Sequence, residues 1–296
     1  MIISASYRTD IPAFYGAWFE RRLSEGLVRV ANPYGGPDRQ VSLAPQEIDG
    51  FIFWTRNLRP FLPILARLND QGLPFVVQMT ITGYPRAIDT ATVAAEAAVE
   101  QLQEVARLYG PRAAVWRYDP VVASSLTPAD WHAENFARLA TDVTGACDEV
   151  VLSFAQVYAK TKRNLDRAAA EHGFTWSDPS QTEKIELLAQ LGGIARTAGL
   201  QPALCAQREL QVACGLAAAR CVDDARLSDV AGRDITAGRT SHRRDCGCAA
   251  SVDIGAYDSC PHGCTYCYAV RNRETAKKRF AEHNPASERL LIRKSA

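Results

Sequence analysis

Six short apolar runs, separated by segments with helical patterning, constrain the fold of this 296-residue chain more than any other feature. Each run is rich in Ile, Val or Phe, as expected of strands that are buried on both faces. Strands and helical patterns that alternate over this length predict a parallel α/β sheet, either open and doubly wound or a barrel. The predicted strands lie at 1–6, 51–55, 75–81, 113–116, 149–154 and 201–206, and the main helical patterns at 60–69, 91–108, 127–142 and 182–198.

Polar side chains follow four of the predicted strands. Ligands of parallel α/β proteins bind at the carboxyl ends of strands, so we expect these side chains to share one pocket. Any one of them is more simply explained as a helix cap or a loop-tying ion pair, but the coincidence of four strand ends favours the pocket. The residues concerned are Arg8 and Asp10, then Thr55, Arg56 and Asn57, then 80–84, then Arg117 and Asp119.

The charge balance excludes one class of protein. Lys and Arg number 34 against 33 Asp and Glu, a net charge of +1, which argues against a nucleic-acid binder held mainly by bulk charge. No apolar run reaches the roughly 18 residues that a membrane span needs. Charged residues occur as early as position 8, too soon for a signal peptide, so we expect a cytoplasmic protein without a membrane association.

The cysteines are concentrated near one end of the chain. Eight of the nine lie within 205–267, the total is odd, and no export signal precedes them. Thiols clustered in this way in a reducing compartment are typical of metal or cluster ligands rather than disulfides. We therefore expect two parts, a sheet-forming part over 1–206 and a cysteine-rich, metal- or cluster-binding segment over 207–296.

The sharpest motif is Cys260-x3-Cys264-x2-Cys267. Three thiolates at this spacing can bind three irons of a [4Fe–4S] cluster and leave the fourth iron without a protein ligand. Zinc is the alternative, with His262 or another cysteine as the fourth ligand. The spacing, with Tyr266 just before the last cysteine, resembles that of radical S-adenosylmethionine (SAM) enzymes, and this favours the cluster.

The resemblance extends beyond the cysteines. IGAYDSCPHGCTYCYA at 254–269 is similar to the NPYRGCxHGCxYCYA signature of radical SAM proteins related to spore photoproduct lyase. The whole chain resembles an uncharacterised bacterial family known as a domain of unknown function. It departs from that family at Tyr7, usually Arg, and at Arg56, usually Lys. The shared motifs are SASYRTDIPAFYG at 4–16, FWTRN at 53–57, TITGY at 80–84, WRYDP at 116–120 and CGCAASVDIGAYDSCPHGCTYCYA at 246–269.

The resemblance implies an unusual order of elements. Radical SAM enzymes carry their cysteine loop after the first strand, whereas here the loop lies near the C-terminal end. We therefore expect a circularly permuted, parallel (β/α)6 partial TIM barrel with a C-terminal iron–sulfur segment. In this hypothesis residues 252–257 form the strand that leads into the cysteines and lie beside strand 1–6.

The resemblance also implies roles for individual residues. Cys260, Cys264 and Cys267 would hold the cluster, and Tyr266 would pack on the adenine of SAM. Reductive cleavage of SAM would produce a 5′-deoxyadenosyl radical that acts on an unknown substrate, which is a small molecule, a nucleobase or a nucleic acid, with a protein such as ferredoxin or flavodoxin as electron donor. Either Arg56 or Arg117 would bind the SAM carboxylate. The expected cofactor-binding residues are Tyr266, Thr55, Arg56 and Asn57, and the expected catalytic residues are Arg8, Asp10, Arg117 and Asp119.

Four further cysteines match the family pattern: Cys205, Cys221, Cys246 and Cys248. Four thiols are enough for an auxiliary [4Fe–4S] cluster or for a zinc site, and ligand count does not separate the two. A non-enzymatic protein stapled by zinc or by an iron–sulfur cluster, with a binding or redox-sensing role, is the alternative function. The other two cysteines are expected to be small buried hydrophobic residues.

Overall fold

The computed structural model describes residues 1–32, 35–239 and 245–291. The described strands are β1 (Ile2–Ala5), β2 (Leu27–Val30), β3 (Arg39–Ser42), β4 (Gly50–Thr55), β5 (Phe75–Thr80), β6 (Ala114–Val121), β7 (Glu149–Phe154), β8 (Gln201–Leu204), β9 (Ala217–Ala218) and β10 (Ser251–Asp253). The described α-helices are α1 (Ile11–Phe14), α2 (Gly16–Glu25), α3 (Leu62–Asp70), α4 (Ala95–Tyr109), α5 (Ala129–Asp142), α6 (Ala159–His172), α7 (Gln181–Thr197), α8 (Arg208–Cys214), α9 (Asp224–Ala231) and α10 (Arg273–Ala281).

Eight strands form one sheet in the order β10-β1-β4-β5-β6-β7-β8-β9, and all neighbouring pairs are parallel. The edge strands β9 and β10 do not pair with each other within the described part of the chain, so the sheet is open and not a closed barrel. The strands β2 and β3 form a separate antiparallel pair. Because the strands of the large sheet are parallel, their carboxyl ends meet at one edge.

The predicted parallel α/β sheet is confirmed, and the six predicted strands are present as β1, β4, β5, β6, β7 and β8. The prediction that the segment before the cysteines lies beside the first strand is also confirmed, because Val252 of β10 is opposite Ile3 of β1. The predicted number of six strands is wrong, since the sheet has eight among the described residues. β9 is only two residues long, which is too short for a periodic pattern to reveal.

Alternate residues of the strands point to opposite faces of the large sheet, and each face packs against a different part of the chain. Phe53 and Trp116 lie on the face that packs into the main core with the helices. Ile52 and Val115 lie on the opposite face, which packs against Leu227 of α9 and against the cysteine-rich segment. Two residues further along the strands, this second face becomes polar, with Ser4, Trp54, Gln78, Arg117, Ser153 and Cys205.

The four predicted helical patterns correspond to α3, α4, α5 and α7, with small shifts at their ends. The start of α7 is set by a capping box, in which Ser180 accepts from the Glu183 amide and the Glu183 carboxylate accepts from the Ser180 amide. α6 was not predicted, because its buried residues include Thr161 and Asn164 and its apolar stripe is narrow. No helix in the described ranges has the length and apolar character to cross a bilayer.

The predicted division at residue 206 stays a prediction, but the large sheet takes strands from both sides of it. β9 and β10 belong to the predicted segment 207–296, and they form the two edges of the sheet. Part of that segment, 240–244 and 292–296, lies outside the described residues. The cysteine-rich segment is therefore joined to the same sheet as residues 1–206.

Candidate functional site

The cysteine loop, residues 260–267, contacts the segments that follow β1, β4 and β5. Its backbone pairs with the segment after β5, since the Thr265 amide donates to the Ile88 carbonyl at 3.0 Å. The Ala91 amide in turn donates to the His262 carbonyl at 2.9 Å. The loop is thus fixed by backbone hydrogen bonds at the carboxyl ends of the strands.

The three thiols of this loop, Cys260, Cys264 and Cys267, are half-buried. Burial raises the pKa of each thiol. At Cys264 the Arg56 guanidinium opposes this rise in pKa, whereas Asp89 and the other two thiols add to it. A cation bound among the thiols would reverse this shift. Gly263 permits the tight turn between them, because its φ is +80° and a Cβ there would lie 2.5 Å from Arg273 Cδ.

Asp10 connects three segments beneath the cysteine loop. One carboxylate oxygen caps α1 by accepting from the Ala13 amide at 2.9 Å. The other accepts from the Arg56 amide, just after β4, at 2.8 Å and lies 2.7 Å from His262 Nε2. Asp10 is buried, so these bonds fix the position of the loop relative to β1 and β4. His262 was predicted only as an alternative zinc ligand, and its contact with Asp10 was not expected.

Arg56 brings a positive charge to the edge of the cysteine loop. Its guanidinium lies 2.6 Å from Asp89 Oδ2, donates to Thr82 Oγ1 at 2.6 Å and lies 3.4 Å from Cys264 Sγ. The Tyr266 hydroxyl donates to the same Asp89 carboxylate at 2.8 Å. Although burial opposes the charge, Asp89, Tyr266 and Cys264 raise the pKa of Arg56 well above its usual value. This arginine is therefore a permanent cation beside a thiol.

A cavity of about 140 Å³ adjoins this network and is lined in part by Arg56, Thr82 and Tyr84. Tyr266 itself is only 8% exposed, and its ring packs edge-on against Tyr84 with the centroids 5.9 Å apart. A larger cavity of about 410 Å³ lies elsewhere, around Trp176, and none of the predicted site residues lines it. The smaller cavity is the one next to the predicted chemistry.

Asp253, at the end of β10, was not predicted as a site residue and is a centre of hydrogen bonding. It forms a salt bridge of 2.8 Å with Arg8. The Arg8 guanidinium also lies 5.4 Å from the centre of the Tyr257 ring. The sequence signal was an acidic residue at the end of the short segment that leads toward the loop. Asp253 also accepts from the side chains of Ser4 and Ser6 and from the amides of Tyr7 and Gly255.

Arg117 lies against the other group of cysteines. Its guanidinium donates to Cys221 Sγ and to Gln78 Oε1, each at 3.1 Å, and pairs with Asp119. The indole of Trp54 lies 5.0 Å from it. Although burial opposes the charge, Asp119 and the Cys221 thiol raise the pKa of Arg117. The structure thus separates the two arginines that the sequence left as equal candidates, with Arg56 at one cysteine group and Arg117 at the other.

The second group of cysteines is brought together on the face of the sheet that α9 covers. Cys205 Sγ lies 3.6 Å from Cys221 Sγ. The Cys248 thiol interacts with those of Cys221 and Cys246. The four thiols come from three places in the sequence and form one continuous group.

Two of the predicted cofactor-binding residues have local partners. Thr55 Oγ1 accepts from the Asn57 amide at 3.0 Å, and Asn57 Oδ1 accepts from the Arg59 amide at 3.4 Å. These bonds shape the turn between β4 and α3, and a role in cofactor binding stays a prediction.

Cys147 and Cys214 lie outside both groups of cysteines. Cys147 is buried in the core, and the Cys214 thiol donates to the Leu210 carbonyl within α8.

Fold and site define an open, parallel α/β protein that carries two groups of cysteines. The chain belongs to the family described as Domain of unknown function (DUF1848), which matches residues 2–269. A comparison with curated proteins gave no match, and neither did a comparison with solved structures.

Proposed function

We propose that this protein is a radical SAM-type enzyme that holds a [4Fe–4S] cluster with Cys260, Cys264 and Cys267. One observation carries the proposal: the loop that holds the three cysteines lies at the carboxyl ends of parallel strands, with the Arg56 guanidinium 3.4 Å from Cys264 Sγ. That edge is where α/β proteins bind their ligands.

The residues present fit such a cluster. Thiolates are soft ligands that select iron–sulfur clusters, and three of them leave one iron open for a small molecule. Each of the three cysteine residues is partly exposed. No three His, Cys, Asp or Glu side chains in the described residues have the arrangement of a preformed ion site. The thiol side chains would therefore have to rotate toward a shared centre on binding.

The order of strands supports a permuted radical SAM fold. β10 leads into the cysteine loop and lies beside β1, which is followed in space by β4, β5, β6 and β7. If β10 is taken as the first strand, the loop follows the first strand, as in the enzymes that the sequence resembles. The proposal describes this sheet as a partial barrel.

Individual residues of the chain would then have separate roles in this activity. The bound cluster and SAM would supply a 5′-deoxyadenosyl radical when one electron, from ferredoxin or flavodoxin, breaks the sulfur–C5′ bond and releases methionine. Arg56, rather than Arg117, would bind the SAM carboxylate, because its guanidinium contacts the Cys264 thiol. Asp10 and His262 would keep the loop in position. Asp119, which is not fully buried, would face the small-molecule or nucleobase substrate.

The test is anaerobic purification and reconstitution, followed by metal and sulfide counts and electron paramagnetic resonance of the reduced protein. We expect about four iron and about four sulfide bound at this loop, with a spectrum that shifts when SAM is added. Cys264→Ala should remove the iron. Cys214→Ala is the matched control, because Cys214 lies in α8, its thiol donates to the Leu210 carbonyl of the same helix, and the change should leave the iron unchanged.

The alternative function predicts a different result. Zinc bound at the loop, with no iron signal that responds to SAM, would contradict the enzyme proposal. It would indicate a binding protein whose fold is stabilised by zinc. Arg56→Met should be combined with Asp89→Asn, so that no buried carboxylate loses its partner. This double variant should weaken SAM binding while the iron count is kept, whereas equal SAM binding would assign the carboxylate to another residue.

A further inference from the structure

The proposed function does not use the second group of cysteines, and the contacts of that group point to a different kind of site. Cys205 follows β8, Cys221 follows β9, and Cys246 and Cys248 precede β10. Segments from three parts of the chain therefore place their thiols together under the polar part of the sheet. Such convergence of otherwise irregular segments is typical of a metal site that organises a loop region.

The separation of two of the sulfurs favours a single ion over a cluster. A tetrahedral ion with metal–sulfur bonds of about 2.3 Å holds its sulfurs about 3.8 Å apart. The Sγ atoms of Cys205 and Cys221 are 3.6 Å apart, close to that value. In a [4Fe–4S] cluster each cysteine binds a different iron, so its sulfurs are held well beyond contact distance.

The surroundings suit a site with excess negative charge. Four thiolates around one divalent cation leave a net charge of −2, and the buried Arg117 guanidinium lies 3.1 Å from Cys221 Sγ. The Val222 amide points at Cys248 Sγ from 3.4 Å. Hydrogen bonds of this kind orient thiolate ligands and stabilise their charge.

We propose that Cys205, Cys221, Cys246 and Cys248 bind one zinc ion in a tetrahedral site that is separate from the cysteine loop. Tetrahedral S4 sites hold zinc or iron–sulfur centres, and the short separation of Cys205 Sγ and Cys221 Sγ favours zinc. As no preformed ion site exists among the described residues, the four side chains close around the ion on binding. The ion would link the segment before β10 to the end of β8. It would thereby hold in place the cysteine-rich segment that packs on this face of the sheet.

The full chain, purified without added metal, should contain about one zinc in addition to any iron. Cys248→Ser should reduce zinc from about one equivalent to a trace and leave the iron of the cysteine loop in place. Cys264→Ser should do the opposite, removing the iron but not the zinc. Cys214→Ser should change neither count.

A measurement on the unmodified protein covers the case in which the Cys248 variant does not fold. Alkylation followed by mass spectrometry should show the four thiols protected together, and a chelator should expose them together. Replacement of zinc by cobalt should give the absorption bands of tetrahedral thiolate coordination. About eight iron and eight sulfide per chain, or a Cys205–Cys221 disulfide in place of bound zinc, would overturn this proposal and leave the proposed function untouched.

Discussion

Buried polar side chains link segments that are distant along the chain. Asp10 reaches His262, which is 252 positions away, and Arg56 reaches Asp89 beside the cysteine loop. Removing one partner of such a pair leaves the other buried and uncompensated, which costs about 3–5 kcal/mol for a charged group. The position of the cysteine loop therefore depends on single side chains rather than on the loop itself.

His132 is another buried polar residue, and its hydrogen-bond partners determine which ring nitrogen carries the proton. The Val122 carbonyl, 3.0 Å from Nε2, can only accept, so Nε2 carries the proton. Nδ1 is then free to accept from the Tyr118 hydroxyl at 2.8 Å. Burial lowers the pKa of His132 to about 4. The folded protein thus keeps this imidazole neutral at pH values where an unfolded chain protonates it.

We predict that His132 makes the protein less stable in mild acid. Below its unfolded pKa of about 6.5 the unfolded state binds a proton that the folded state does not, so the free energy of unfolding falls as the pH drops toward 4. The loss from this group reaches about 3 kcal/mol. Denaturant unfolding at several pH values should show a shallower decline for His132→Gln, and parallel curves for the two proteins would contradict the prediction.

At the level of elements, the edge of the sheet at β10 depends on close approach to the end of β1. Gly255, just after β10, donates its amide to Asp253 at 3.0 Å. A Cβ at this position would lie 2.0 Å from Ser6 Oγ and 2.9 Å from Thr9 Oγ1. The segment that leads to the cysteine loop therefore has no room for a side chain here.

We predict that Gly255→Ala destabilises the protein by about 1–3 kcal/mol, because the side chains of Ser6 and Thr9, which hydrogen-bond to Asp253 and Ala256, must move aside. Hydrogen exchange of the β10 amides should accelerate in the same variant. Gly193→Ala is the control, since Gly193 is exposed within α7 and a Cβ there has no neighbour within 4 Å. This control should stabilise the protein by up to about 1 kcal/mol. Equal stability of the two variants would show that the close approach at Gly255 is unimportant.

Elements also differ in how well the sequence predicted them. The runs of β4, β5 and β7 were recognised because strands buried on both faces have continuous apolar residues. The antiparallel pair β2–β3 was missed, because its strands are four residues long and only partly buried. Short, half-exposed strands carry little periodic signal, so their pairing is settled by contacts with the rest of the chain.

At the scale of the whole molecule, the C-terminal segment closes over helix α2. The indole nitrogen of the buried Trp18 donates to the Ser287 carbonyl at 2.9 Å, and Arg22 donates to the Ala286 carbonyl at 3.3 Å. Leu290 is buried in the main core. This segment lies beyond residue 269, where the family match ends, yet it covers part of the core of the sheet domain.

We predict that truncation after Ala281 lowers the free energy of unfolding by at least about 2–3 kcal/mol, because it exposes Trp18 and removes Leu290 from the core. Denaturant unfolding followed by tryptophan fluorescence measures the change. Glu288→Ala is the matched control, since it removes only a half-exposed ion pair with Arg29 and should cost less than about 1 kcal/mol. An unchanged unfolding midpoint in the truncated protein would contradict the prediction.

The sequence by itself determined the class of fold, the strands at the centre of the sheet and the cysteines that are candidate ligands, because burial and thiol chemistry leave local patterns. The tertiary structure alone decided which arginine accompanies each group of cysteines. It also revealed Asp253 and Asp89 as the partners of Arg8 and Arg56. The physical reason is that a side-chain pair depends on the distance between atoms in the folded chain, and residues far apart in sequence have no spacing pattern that records that distance.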